Sequence, residues 1–237
     1  MGGVVITTGA TAGTVSDTPW QGRFLRLPGV YSPQADTFML AAAMRREGIR
    51  PGMDVLDLCT GTGALALHAA RLGARVTAVD ISRRAVASAR LNAALARLSI
   101  SVHRGDLLSQ LSGQSFDVLV SNPPYVPSPS LSLPRRSASR AWDAGFDGRM
   151  LIDRICAAAS SVLRPSGVLL MVHSELSGSE ETVRRLARAE MSASVIARMT
   201  IPFGPVTCAR LRWLRDRGLV PADVDREELV IIRAQKN

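Results

Sequence analysis

The chain has 237 residues, 46% of them hydrophobic, enough to bury one sizeable core. No apolar run approaches the roughly 18 residues that cross a bilayer, and residues 1–20 lack the basic start of a secretory signal, so a cytoplasmic protein is expected. The formal charge of +9 comes almost wholly from arginine, since Lys236 is the single lysine; a basic surface favours acidic partners without naming one.

Residues 1–20, rich in Gly, Thr and Ala, read as a disordered tail, and 21–237 as one domain. A first helix starts near Pro33 and runs to Gly48, with Pro51-Gly52 as a break. Met53 to Leu58 reads as a strand, and Ala64 to Leu72 as a helix after a glycine loop. Arg75 to Val79 is a second strand ending at Asp80, and Ser82 caps a long helix from Arg83 to Leu98. Ile100 to His103 is a third strand with Asp106 just beyond, and Phe116 to Val120 a fourth, with Asn122 at its carboxyl end. Residues 126–145 read as a long loop. Asp147 to Leu163 reads as a helix stopped by Pro165-Ser166-Gly167. Val168 to Val172, Ser194 to Ile201 and Leu229 to Ile232 complete the strands, with a helix at Gly178 to Ala189. The stretch from Pro202 to Glu228 is too long for a tight hairpin. This alternation predicts an α/β fold: a mostly parallel sheet with helices on both faces.

Ligands of open α/β sheets bind beyond the carboxyl ends of the strands. Asp57, Asp80, Asp106 and Asn122 each end a successive strand, so the alternation puts all four on one rim. Gly61 and Gly63 allow a tight turn and a close approach of a ligand to the start of a helix. Asp80 is placed to accept both hydrogen bonds of a ribose diol, although an aspartate before a helix also serves as a cap. Asp106 could accept from an adenine amino group, or simply close a turn. A nicotinamide dehydrogenase would share the loop and Asp80, because Gly61-Thr62-Gly63-Ala64-Leu65-Ala66 fits its pattern.

Asn122-Pro123-Pro124-Tyr125 breaks that tie. Two prolines after a central strand remove backbone donors and leave carbonyl oxygens facing the cleft. A planar –NH2 group held by the Asn122 side-chain oxygen and the Pro123 carbonyl has both hydrogens occupied. Its nitrogen can then face the sulfonium methyl of S-adenosylmethionine, which leaves as S-adenosylhomocysteine. Tyr125 supplies an aromatic wall for the flat group. Three cysteines and three histidines without ligand spacing point to no disulfide framework and no metal.

At these residues the chain resembles the HemK-type methyltransferases, which modify the glutamine side-chain amide of class I peptide-chain release factors. The likeness extends to Val30-Tyr31-Ser32-Pro33-Gln34-Ala35-Asp36-Thr37-Phe38 and to Ala141-Trp142-Asp143-Ala144-Gly145-Phe146-Asp147-Gly148. It looks most like the short branch that lacks an amino-terminal helical domain. The resemblance implies a Rossmann-like class I methyltransferase with a seven-stranded sheet and an antiparallel last strand. It implies Thr37, Asp57, Cys59, Gly61, Asp80, Asp106 and Leu107 around the cofactor, with Asn122 and the Pro123 carbonyl on the target amide. Cys59 departs from the family, which usually has a glycine there, and Ser32 and Ala35 replace acidic residues common in the short branch. That branch often works with a small zinc-binding activator.

Other readings stay open at this level. Adenine N6 and cytosine N4 present the same planar –NH2 geometry, and Arg135, Arg136, Arg140 and the arginines at 210–217 could grip phosphates or form a solvated face. A small-molecule methyltransferase with a lid after Ile201, or a cofactor-binding scaffold without turnover, would also carry this loop.

Overall fold

The computed structural model describes residues 24–109, 111–130 and 138–237, with the backbone of the two-residue strands Val5–Ile6 and Gly13–Thr14. The expected tail falls almost wholly outside the described residues, as do Arg135 and Arg136. The main sheet comprises β1 (Asp54–Leu58), β2 (Arg75–Asp80), β3 (Ser101–Arg104) and β4 (Phe116–Ser121). It continues with β5 (Leu163–Ser174), β6 (Met191–Pro202) and β7 (Arg226–Lys236). The spatial order is β3-β2-β1-β4-β5-β7-β6. Strands β1 to β5 pair in parallel, and β7 runs antiparallel to both β5 and β6. The chain leaves β1 toward one edge and returns to β4 on its other side, which makes the β1/β4 junction the switch point where such sheets bind ligands.

Side-chain alternation builds one core on each face. Val118, Val120, Leu170 and Val172 pack with α1 (Ala35–Arg46), α2 (Ala64–Arg71) and α3 (Arg83–Ala96). Leu119, Leu169 and Met171, one residue out of phase, pack with α4 (Met150–Val162) and α5 (Ser179–Arg188). On α3 the buried positions 85, 86, 89 and 93 follow the helical repeat, and the Ser82 hydroxyl caps its start by accepting from the Ala85 N–H.

Two segments differ from the sequence expectation. Helix α4 begins at Met150, and β5 starts directly after it at Leu163. Pro165-Ser166-Gly167 lies inside that strand as an irregularity, where the register jumps from the Phe116–Leu163 pair to the Val118–Val168 pair and Ser166 adopts φ 62°. Proline lacks the N–H that a ladder needs, so the strand yields there without ending. Between β6 and β7 the chain forms α6 (Pro205–Asp216), which carries its own small core of Phe203, Leu214 and Val220.

Candidate active site

A cavity of about 480 Å³ opens over the carboxyl ends of β1, β2 and β4, large enough for a nucleoside-bearing ligand. The glycine loop forms its floor. Cys59 and Gly61 have φ of 60° and 56°, and Gly63 at φ 83° caps α2. Cys59 therefore bears a side chain in the left-handed region that glycine occupies freely, a strained state of the kind found around ligand sites. Burial, with the charges of Asp80 and Asp57 adding to it, pushes the Cys59 thiol up, so it stays a neutral wall group.

Asp57 does not line the cavity. It sits beneath the loop, 1% exposed, where its Oδ2 accepts from the Thr60 hydroxyl at 2.5 Å and the Ala66 N–H at 3.1 Å. Its Oδ1 is buried without a hydrogen-bond partner. Desolvation raises this carboxyl to about 7. Gly63 is also off the wall; a methyl group there would press on the Cα and Cβ of Ala89, so the residue lets loop and α3 pack closely.

Asp80 lies on the wall, with Oδ2 accepting from the Gly61 N–H at 3.0 Å and Oδ1 from the Ser82 N–H at 2.8 Å. Burial raises the carboxyl despite these donors, the further hydrogen bond from the Ile81 backbone and the nearby Arg140 charge. Asp106 and Leu107 line the adjoining wall. Asp106 is half exposed and pairs with Arg154 at 2.9 Å, while Leu107 is buried at φ 50°. A carboxylate at a strand end, a loop bent around it and an apolar shelf suit a ribose and a base.

The opposite end of the cavity contains Asn122, Pro123, Pro124 and Tyr125. Asn122 Nδ2 donates to Thr37 Oγ1 at 3.3 Å, leaving Oδ1 for the cavity. Thr37 in turn donates its hydroxyl, at 3.1 Å, and its N–H, at 2.6 Å, to Asp36 Oδ1. Asp36 Oδ2 accepts from the hydroxyls of Tyr31 at 2.9 Å and Tyr125 at 3.1 Å. Tyr125 is thus an anchored wall, and burial beside Asp36 raises both phenols far above titration at neutral pH. Glu227 lines the same end at 8% exposure, its carboxyl raised by burial.

Asp36 stands in the Val30–Phe38 stretch that carries the family resemblance, but the sequence assigned it no role of its own, and none to Asn92 or Glu227. Asn92 looks like any polar residue in an alanine-rich helix. Yet Asn92, 6% exposed, accepts from the Leu25 N–H and donates to the carbonyls of Leu25 and Thr62, strapping residues 24–27 to the glycine loop.

Val126, Arg140, Ala141, Trp142 and the start of α6 form the roof. Arg210 donates to the Pro127 carbonyl at 3.0 Å and pairs with Asp143 at 2.5 Å. Phe146 meets Trp213 edge to face at 5.6 Å, and Arg217 lies 3.9 Å over the Phe146 ring. Arg210 and Arg217 thus hold two segments of the chain together, while Arg140 lines the cavity. The segment expected as a plain loop contains a 3-10 turn at Ala138–Ala141 and a bridge between Val126 and Asp143. Among the described residues no group of His, Cys, Asp and Glu could hold a metal, and no helix is long and apolar enough to cross a membrane.

Residues 21–132 match the model of the methyltransferase small domain family. A Methanocaldococcus jannaschii protein described as a putative protein N5-glutamine methyltransferase is 33% identical, over 74% of this chain and 88% of its own. Release factor glutamine methyltransferase of Mycolicibacterium smegmatis is 36% identical, over 78% of this chain and 68% of its own. The Mycobacterium tuberculosis enzyme of the same description is 32% identical, and the chain spans 64% of its length. Among solved structures, the E. cuniculi Mtq2–Trm112 complex, described as responsible for methylation of the eRF1 termination factor, superposes with a TM-score of 0.60. It is 24% identical and covers 88% of this chain and 99% of that chain. A T. thermophilus 16S rRNA N2 methyltransferase in complex with AdoMet and guanosine reaches a TM-score of 0.57 at 21% identity, covering 92% of this chain and half of that one.

Proposed function

The chain belongs to the HemK-type methyltransferases, with their Rossmann-like class I fold, and from that premise we propose that it methylates the side-chain amide nitrogen of a glutamine in a peptide-chain release factor or similar protein. The methyl donor is S-adenosylmethionine, which supplies an electrophilic methyl on a sulfonium. Asp80, on the cavity wall, would take the ribose hydroxyls, and Asp106 and Leu107 would border the adenine. Cys59, Gly61 and Gly63 shape the loop, Asp57 holds it from below, and Thr37 borders the donor's methyl end.

The observation that carries the reading is the orientation of Asn122. Its nitrogen is occupied by Thr37, so its oxygen is free to receive one hydrogen of the acceptor amide. The Pro123 carbonyl takes the other, Pro124 has no N–H to compete, and Tyr125 flanks the plane of the amide. Holding both hydrogens turns the nitrogen toward the methyl group, and these dipoles favour the positive charge that grows on it as the bond forms. Proton loss then follows to solvent.

Replacing Asn122 with Ala is expected to lower methylation of a glutamine peptide by about a hundredfold while donor affinity stays near wild type. Transfer of labelled methyl to release factor, RNA and DNA in parallel, with calorimetry for donor binding, checks both. Label in nucleic acid alone would overturn the reading. It extends to a cytoplasmic location and a small partner chain, the E. cuniculi neighbour being a two-chain complex; co-purification from the native cell tests the partner.

A further inference from the structure

Asp36 bonds the hydroxyls of Tyr31, Tyr125 and Thr37 and reaches the Asn122 amide through the last of them. It is 3% exposed and accepts four hydrogen bonds: two phenols on Oδ2, and the N–H and hydroxyl of Thr37 on Oδ1. Four donors around one carboxylate leave it accepting on every side. A threonine hydroxyl has one proton and two lone pairs. With that proton committed to Asp36, Thr37 can offer only a lone pair to its other neighbour, the Asn122 amide at 3.3 Å. A lone pair selects the –NH2 end of an amide and turns the carbonyl end away.

We infer that Asp36 is a positioning residue which, through the Thr37 hydroxyl, sets which end of the Asn122 amide faces the acceptor. This deepens the proposed function and rests on it. Were the amide reversed, its –NH2 would meet the –NH2 of the substrate, donor against donor, and neither would be satisfied in a closed site. The Asp36-Thr37 pair lies 85 residues from Asn122, at the start of α1, so the polarity of the site is imposed from outside the Asn-Pro-Pro-Tyr motif.

Four variants separate hydrogen-bond polarity from packing. Asp36→Asn keeps an oxygen against Thr37, because the main-chain N–H of Thr37 cannot turn away, and should keep kcat within about threefold of wild type. Asp36→Ala frees the hydroxyl to donate, unlocks the amide and should lower kcat about tenfold or more, with donor affinity within about threefold. Asn122→Asp alone sets a second carboxylate against a hydroxyl whose proton is already taken, and should fall about a hundredfold. Adding Asp36→Ala to it releases that proton to residue 122 and should recover about tenfold, a rescue that a merely structural role would not produce. If Asp36→Ala does not fold, Thr37→Val removes the relay hydroxyl while leaving the phenols on Asp36. Neutron diffraction of the unliganded protein reads the amide directly, with two deuterons expected on the atom facing Thr37. An oxygen in that place, or a double variant no faster than Asn122→Asp, overturns the inference. The expected orientation in a protein that does not methylate glutamine would support the relay and sink the proposed reaction, so the two failures are distinguishable.

Discussion

Burial lifts the Asp57 carboxyl to about 7 from 3.8, so across that interval the folded chain holds a proton that the unfolded chain has released. The stability this group contributes is complete below about pH 3.8 and is lost as pH rises through 7. His68 and His173 act in the opposite sense. Burial lowers both from 6.5 to about 4, so the unfolded chain gains their protons first and stability falls as pH drops through that range. Asp57→Asn removes the first contribution and leaves the second. The melting temperature of wild type relative to this variant should rise as pH falls from 7 to 4; a difference independent of pH would count against a buried, titrating Asp57.

Among the elements, the glycine loop and the roof depend on single side chains or on their absence. Asn92→Ala removes three hydrogen bonds that strap residues 24–27 to the Thr62 carbonyl, and is expected to cost about 1–3 kcal/mol and to weaken donor binding. Denaturant unfolding and calorimetry would show it. At Gly148, φ is 73° and a methyl group would overlap the Tyr125 carbonyl and the Ser177 hydroxyl. Gly148→Ala should therefore destabilise by about 1–3 kcal/mol and slow turnover more than it weakens donor binding, since the displaced segment carries Tyr125. Turnover equal to wild type would separate the roof from the site. The glycine was visible in the sequence, but its reason was not, because the Ser177 hydroxyl that bonds the Tyr125 carbonyl lies 52 residues beyond that tyrosine.

For the whole molecule, β7 is last in sequence yet sits between β5 and β6. It pairs with β5 from Leu229 to Gln235 and with β6 along its full length, and Glu227 at its start faces the cavity. A chain ending at residue 225 would leave β5 an open edge and β6 without a neighbour, so it should not fold cooperatively. Circular dichroism and limited proteolysis of the truncated protein test this; a cooperative melt near the wild-type temperature would contradict it.

The order of elements and the rim were legible because strand periodicity and glycine breaks are local. In a parallel sheet they force Asp80, Asp106 and Asn122 to one side whatever the packing. The same logic put Asp57 on that rim, and there it was too coarse: a strand-end carboxylate can turn beneath its loop as easily as over it, and the Thr60 and Ala66 donors draw it under. Helix α6 was hidden among arginines that read as a solvated or phosphate-binding face until Asp143 and Phe146 met them. Composition and pattern alone determined an α/β sheet with a ligand rim and an Asn-Pro-Pro-Tyr wall. Only the tertiary structure decided which atoms of that wall face the cavity, because a hydroxyl proton goes to whichever acceptor the fold brings near, and no spacing along the chain records that choice.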